Sequence, residues 1–164
     1  MSAASVDKYS FVALVTGASR GLGFELVKQL AFGTPAGVTP LFGVSDGALE
    51  LPDPIVPADN AVILAACRSP ATATELAALA ARSNGRLQVV QLDVGSDEDI
   101  AAVAAQIDAE YGRLDLLIHN AGIIETGLTL RTLSRSDINR IYDTNVTAPL
   151  LITKALLPVL SRTL

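Results

Sequence analysis

Four short strand-like runs recur along the chain, the first two almost wholly apolar, each followed by a stretch with helical spacing or turn character. No other feature restricts the fold as strongly. The runs are "FVALVT" (11–16), "AVILAAC" (61–67), "RLQVVQLDV" (86–94) and "LDLLIHNAG" (114–122), the last ending in a turn. A run without polar alternation suits a strand covered on both faces, as in a parallel sheet. After the first run, Leu22, Leu26 and Leu30 recur at helical spacing, with Glu25, Lys28 and Gln29 on another side. A second helix is expected within 69–85, with Ser69 as its cap, Pro70 in the first helical position and Gly85 at its end. In the third, Ser96 and Asp99 match a capping box and Ile100, Val103 and Ile107 form the apolar stripe. Tyr111 finishes that helix's apolar face, and Gly112 lies just past its end. A last helix is expected from about Ser134, bending near Pro149. Strands alternating with helices form βαβ units, so the expected fold is α/β, a doubly wound parallel sheet in one domain.

One segment breaks this rhythm. Residues 33–59 contain five of the eight prolines and four of the twelve glycines, and no Lys or Arg. Connections from helix to strand are usually a few residues long. We read the segment as an insertion, a surface loop in preference to a lid over a ligand site or translated intron-like sequence.

Composition narrows the function. Half of the 164 residues are hydrophobic and 18% are charged, which suits a packed core and argues against disorder. The net charge of -5 disfavours non-specific nucleic-acid binding. With one cysteine, Cys67, and one histidine, His119, neither an internal disulfide nor a Cys or multi-His metal cluster is expected. "MSAASVDKYS" lacks an apolar signal region, and the most apolar stretch, 145–160, is short for a membrane span and interrupted by Lys154. A cytoplasmic protein without a membrane partner is expected.

The chemistry is concentrated in Thr16-Gly17-Ala18-Ser19-Arg20-Gly21-Leu22-Gly23, which follows a predicted strand and opens a predicted helix. Gly17 permits the tight turn, Gly21 lets backbone approach a pyrophosphate, and Gly23 lets the helix pack close to the sheet. The helix N-terminus then offers free N–H groups to the anion. The spacing G-x-x-x-G-x-G is one residue longer than the common dinucleotide fingerprint, and no G-K-[ST] follows, so the loop is not a P-loop.

That loop resembles the cofactor loop of the short-chain dehydrogenases/reductases. "LDV" (92–94), "NAG" (120–122) and "TNVTAPLLITKALLPVL" (144–160) are similar to further motifs of that family, in the family's order. "AACRSPATATELAALA" and "DTNVTAPLLITKALLPVL" further resemble the C-factor/Sniffer-like carbonyl reductases. The resemblance implies a Rossmann-like sheet of order 3-2-1-4 with flanking helices, representing the N-terminal part of the fold. It places Gly17, Ser19, Arg20, Gly21, Leu22 and Gly23 along the cofactor phosphates. Asp93 would hold the adenine, with Val94 beside it, and Asn120, Ala121 and Gly122 would lie along the adenosine ribose. Asn145 matches the family's active-site asparagine, which also shapes a helix bend.

An acidic residue ending the second strand would bind the ribose 2′-hydroxyl of NAD and repel a 2′-phosphate. Cys67 occupies that position here, followed by Arg68, and Arg20 sits in the glycine loop. Two guanidinium groups suit a phosphate dianion, so NADP is expected over NAD. His119 and Cys67 are read as packing residues rather than catalytic ones.

The family's general acid/base is a tyrosine with a lysine four residues on, which lowers its pKa, and a serine that orients the carbonyl. Four residues after Tyr9, Tyr111 and Tyr142 stand Ala13, Asp115 and Val146, so Tyr-x-x-x-Lys is absent. The family carries it beyond the helix with which this sequence ends. The expectation is therefore a C-terminally truncated carbonyl/alcohol oxidoreductase, inactive alone. The alternatives are a nucleotide-binding or dimerising isoform and a gene-model fragment. The final helix is apolar almost all round, which predicts a homo-oligomer formed through it.

Overall fold

The computed structural model describes residues 8–33, 60–127 and 129–163. The expected insertion falls almost wholly outside them. Four parallel strands, β1 (Phe11–Thr16), β2 (Ala61–Cys67), β3 (Leu87–Gln91) and β4 (Leu116–Ile118), form one sheet in the order β3-β2-β1-β4. The helices are α1 (Gly21–Phe32), α2 (Thr74–Ala81), α3 (Asp97–Glu110), α4 (Arg135–Tyr142) and α5 (Ala148–Leu160). Together they make the expected doubly wound, Rossmann-like arrangement.

The two-residue period of the strands sorts the core into two layers. Ala13, Val15, Ile63, Ala65, Cys67 and Leu87 face one way and pack with Leu26, Val27 and Leu30 of α1 and Leu76 and Leu79 of α2. Val12, Leu14, Val62, Leu64, Ala66 and Val90 face the other way, onto Ile100, Val103 and Ile107 of α3 and Ile152, Leu156 and Val159 of α5. Because β1 and β2 are covered on both faces, neither shows polar alternation.

Within 114–122, read as a strand and a turn, β4 takes three residues, paired to Ala13, Leu14 and Val15. Its start is anchored by a side chain: Asp115 Oδ2 accepts from Val12 N at 2.8 Å, and Arg113 clamps the same carboxylate at 3.0 and 2.5 Å. β3 likewise covers only part of 86–94.

Ser69 does not cap a helix through its side chain. Its carbonyl closes a 3-10 turn (Pro70–Thr72) by accepting from Thr72 N, and α2 begins only at Thr74. The last helix starts as expected, with a complete capping box between Ser134 and Asp137. Ahead of Pro149 it widens into a π segment (Asp143–Thr147), closed by the Ala148 N–H donating to the Asp143 carbonyl. Proline has no N–H to donate and its ring crowds the carbonyl four residues earlier, here that of Asn145; the wider turn accommodates both effects.

Candidate dinucleotide site

The C-terminal ends of β1 and β4 and the start of α1 form one hydrogen-bonded corner. The Thr16 hydroxyl, buried, accepts from Asn120 N at 3.1 Å and from Ala121 N at 3.0 Å. Asn120 Nδ2 in turn donates to the carbonyls of Thr16 (3.0 Å) and Gly17 (3.1 Å). Ala18 N donates to Ala66 O at 2.9 Å, tying the loop to β2.

These bonds leave no room for side chains at two glycines. At Gly17, where φ is +68°, a Cβ would lie 2.8 Å from Ala121 Cα. At Gly23 it would lie 2.3 Å from both the Gly17 carbonyl oxygen and Asn120 Nδ2. The close packing at Gly23 is thus against the loop and the turn after β4 and not against the sheet strands as expected, because the Gly17 carbonyl and the Asn120 amide lie between. Gly21 faces open space, as an approaching ligand requires.

Arg20 precedes α1 in an extended conformation and makes no side-chain cap, and the first turn holds no acidic residue. The N–H groups of that turn and the positive end of the helix dipole thus remain available to an anion. Ser19 is half-buried beside them, while Arg20 and Leu22 are exposed. The donor set fits a pyrophosphate.

Across the loop, β2 ends in buried Cys67, whose thiol pKa is pushed up by burial, so it packs as a neutral group. Arg68 follows, exposed. Among the described residues, neither Arg20 nor Arg68 forms an ion pair or a side-chain hydrogen bond.

Beyond β3, Asp93 and Val94 are half-buried. Asp93 Oδ1 accepts from Gly95 N at 3.1 Å, and Asp93 N donates to Asp99 Oδ2 at 2.8 Å. The capping box expected at α3 is only half formed. Ser96 Oγ accepts from Asp99 N at 3.2 Å, but the Asp99 carboxylate reaches Asp93 N. Ser96 N donates instead to the Asp93 carbonyl at 3.0 Å.

On the far side, Asn145 lies within the π segment and spends both ends of its amide on one backbone unit. Its Oδ1 accepts from Ile123 N and its Nδ2 donates to Ile123 O, each at 2.8 Å. A Cβ on Gly122 would stand 3.3 Å from Asn145 Oδ1. Asn145 thereby holds the segment that continues from Asn120, Ala121 and Gly122. His119 points elsewhere, its Nε2 lying 2.9 Å from Thr153 Oγ1 of α5. Loss of water beside α5 lowers its pKa below the ordinary 6.5.

The structure thus gathers the glycine loop, the 120–122 turn and Asn145 around one corner, with Arg68 and Asp93 following the ends of the neighbouring strands. Two contributors escaped sequence reasoning. Thr16 heads the glycine-loop motif but was given no role of its own, and its hydroxyl finds partners more than a hundred residues away. Asp99 was visible only as a cap.

A family model described as short chain dehydrogenase matches residues 48–163. The chain belongs to the short-chain dehydrogenase family. It is 29% identical over 153 residues to a short-chain dehydrogenase/reductase of Aspergillus fumigatus, covering 92% of this chain and 50% of that protein. It is 32% identical over 148 residues to a short-chain dehydrogenase of Penicillium roqueforti, covering 90% of this chain and 48% of that protein. The NADPH-bound carbonyl reductase from chicken fatty liver is a structural neighbour at 32% identity and a TM-score of 0.71, matching 92% of this chain and 52% of its own. The carbonyl reductase Sniffer of D. melanogaster shares the fold, with a TM-score of 0.69 at 24% identity, over 92% of this chain and 52% of that one. This short-chain dehydrogenase chain therefore spans about half the length of the curated relatives it matches. No described helix is long and apolar enough to cross a membrane, and the described residues contain no cluster of metal-ligating side chains.

Proposed function

We propose that this oxidoreductase-family chain holds NADP through the glycine-loop corner, as the cofactor-binding part of a reductase acting on a carbonyl/alcohol pair. The observation that carries this is the uncapped N-terminus of α1, set where Gly17 and Gly23 are closed down on Asn120 and Ala121. The bound dinucleotide supplies the hydride. Backbone N–H groups of the loop bind the pyrophosphate, with Ser19, Arg20 and Leu22 alongside. Arg20 and Arg68 take the 2′-phosphate; no carboxylate ends β2 to repel it. Asp93 and Val94 receive the adenine, and Asn120, Ala121 and Gly122 border the ribose. Asn145 acts as a positioning residue through Ile123.

These residues alone hold cofactor without turnover, because no Tyr-x-x-x-Lys occurs among them. The same absence favours a second reading: a non-enzymatic module that binds nucleotide and pairs with other copies through α4 and α5. A cytoplasmic setting suits either reading.

Fluorescence titration with NADPH and NADH, followed by an aldehyde and ketone panel, tests the proposal. Binding of NADPH about tenfold tighter than NADH is expected, from charge-assisted hydrogen bonds to the extra phosphate. Tighter NADH binding would remove the NADP preference. Turnover would show that these residues suffice for chemistry.

A further inference from the structure

We propose that Asp99 is a positioning residue for recognition of the adenine base, acting through the backbone of Asp93. The inference rests on the reading of Asp93 as the adenine contact. In a capping box the carboxylate three residues into a helix returns to the backbone N–H of the cap residue. Here the Asp99 carboxylate passes over Ser96 and accepts from Asp93 N at 2.8 Å. The helix end loses nothing, since Ser96 Oγ still caps Asp99 N and Ser96 N is taken by the Asp93 carbonyl.

The consequence falls on Asp93. Its backbone is held on both sides, N–H by Asp99 and carbonyl by Ser96, while Gly95 N holds Oδ1 at 3.1 Å. Among the described residues, Oδ2 is left without a partner. A carboxylate oxygen only accepts, so the group it suits is a donor such as the exocyclic amine of adenine. Hypoxanthine presents a carbonyl oxygen at the same place and offers that carboxylate no proton. Asp99 thus sets the direction in which the free oxygen of Asp93 points.

The test compares binding of the reduced dinucleotide with that of its hypoxanthine analogue, by fluorescence, in the full chain. The wild type is expected to favour adenine about tenfold, the scale of one well-placed hydrogen bond to a charged group. Asp99→Ala should erase that preference. Asp99→Asn, which keeps an acceptor oxygen, should restore most of it. Asp97→Ala removes a neighbouring acid from the same helical turn without touching Asp93 and should leave the preference intact. Should the alanine variant fail to fold, Asp99→Glu keeps the first-turn charge while its extra methylene displaces the contact, and the same loss is expected. An unchanged preference in Asp99→Ala or Asp99→Glu overturns the role of Asp99 and leaves the cofactor reading standing. A wild type that binds neither dinucleotide overturns both.

Discussion

The corner at the end of β1 and the outer face of α4 and α5 lie in one short chain and differ in kind. At the corner, Thr16 and Asn120 satisfy each other's polar groups, and two glycines stand where any Cβ would collide. On the helical face, Ile138, Tyr142, Val146, Leu150 and Leu157 are all exposed. Four of them recur every fourth residue, which lines them along one side of the helical stretch. The corner's named hydrogen bonds all run between described residues. The face is an apolar stripe of the sort that usually meets another surface. A ligand cradle needs its polar groups fixed in advance, whereas an apolar stripe gains most by being covered.

The largest effect should come from breaking the corner. Gly23→Ala forces a methyl against the Gly17 carbonyl and the Asn120 amide. Thermal or denaturant unfolding should show a loss of about 3 kcal/mol, the upper end for overpacking, with dinucleotide binding lost alongside. A variant of wild-type stability would mean that the corner yields.

On the face, Leu150→Glu should behave in the opposite way. Leu150 is 67% exposed, so folding stability should change by no more than about 0.5 kcal/mol. Self-association measured by sedimentation should weaken about tenfold if the stripe binds a second copy. An unchanged distribution would take α4 and α5 out of the proposed interface.

The smallest effect concerns His119, which joins the two regions through Thr153. Its folded pKa lies below the ordinary 6.5, so the unfolded chain binds the proton more readily. Its contribution is therefore intact above pH 6.5 and is lost as pH falls from that value toward the folded pKa. Because the ring is exposed, a loss below about 0.5 kcal/mol is expected. His119→Gln should flatten this part of the stability-pH curve. A wild-type curve that rises on acidification would reverse the sign.

Much of this was legible before any coordinates. Buried strands announce themselves as unbroken apolar runs, so β1 and β2 have the boundaries read from the sequence. The helix stripes, the start of the last helix near Ser134 and the glycine loop are local patterns too, carried by residues a few positions apart. β4 takes only Leu116–Ile118 of the stretch read as a strand and a turn, and the residues after it leave the sheet. Asn120 turns its amide toward Thr16 and Gly17, and no local signal reports that.

The sequence by itself determined the α/β class, the order of the elements and the glycine turn between β1 and α1, since periodicity and glycine spacing act over a few residues. Only the tertiary structure decided how the site is held. Thr16 meets Asn120, Asn145 clasps Ile123, and the Asp99 carboxylate bypasses its own helix for Asp93. Each of these bonds depends on where the sheet and the helix ends place a backbone N–H or carbonyl. A side chain's type says that it can accept a proton, and the fold chooses which donor it meets.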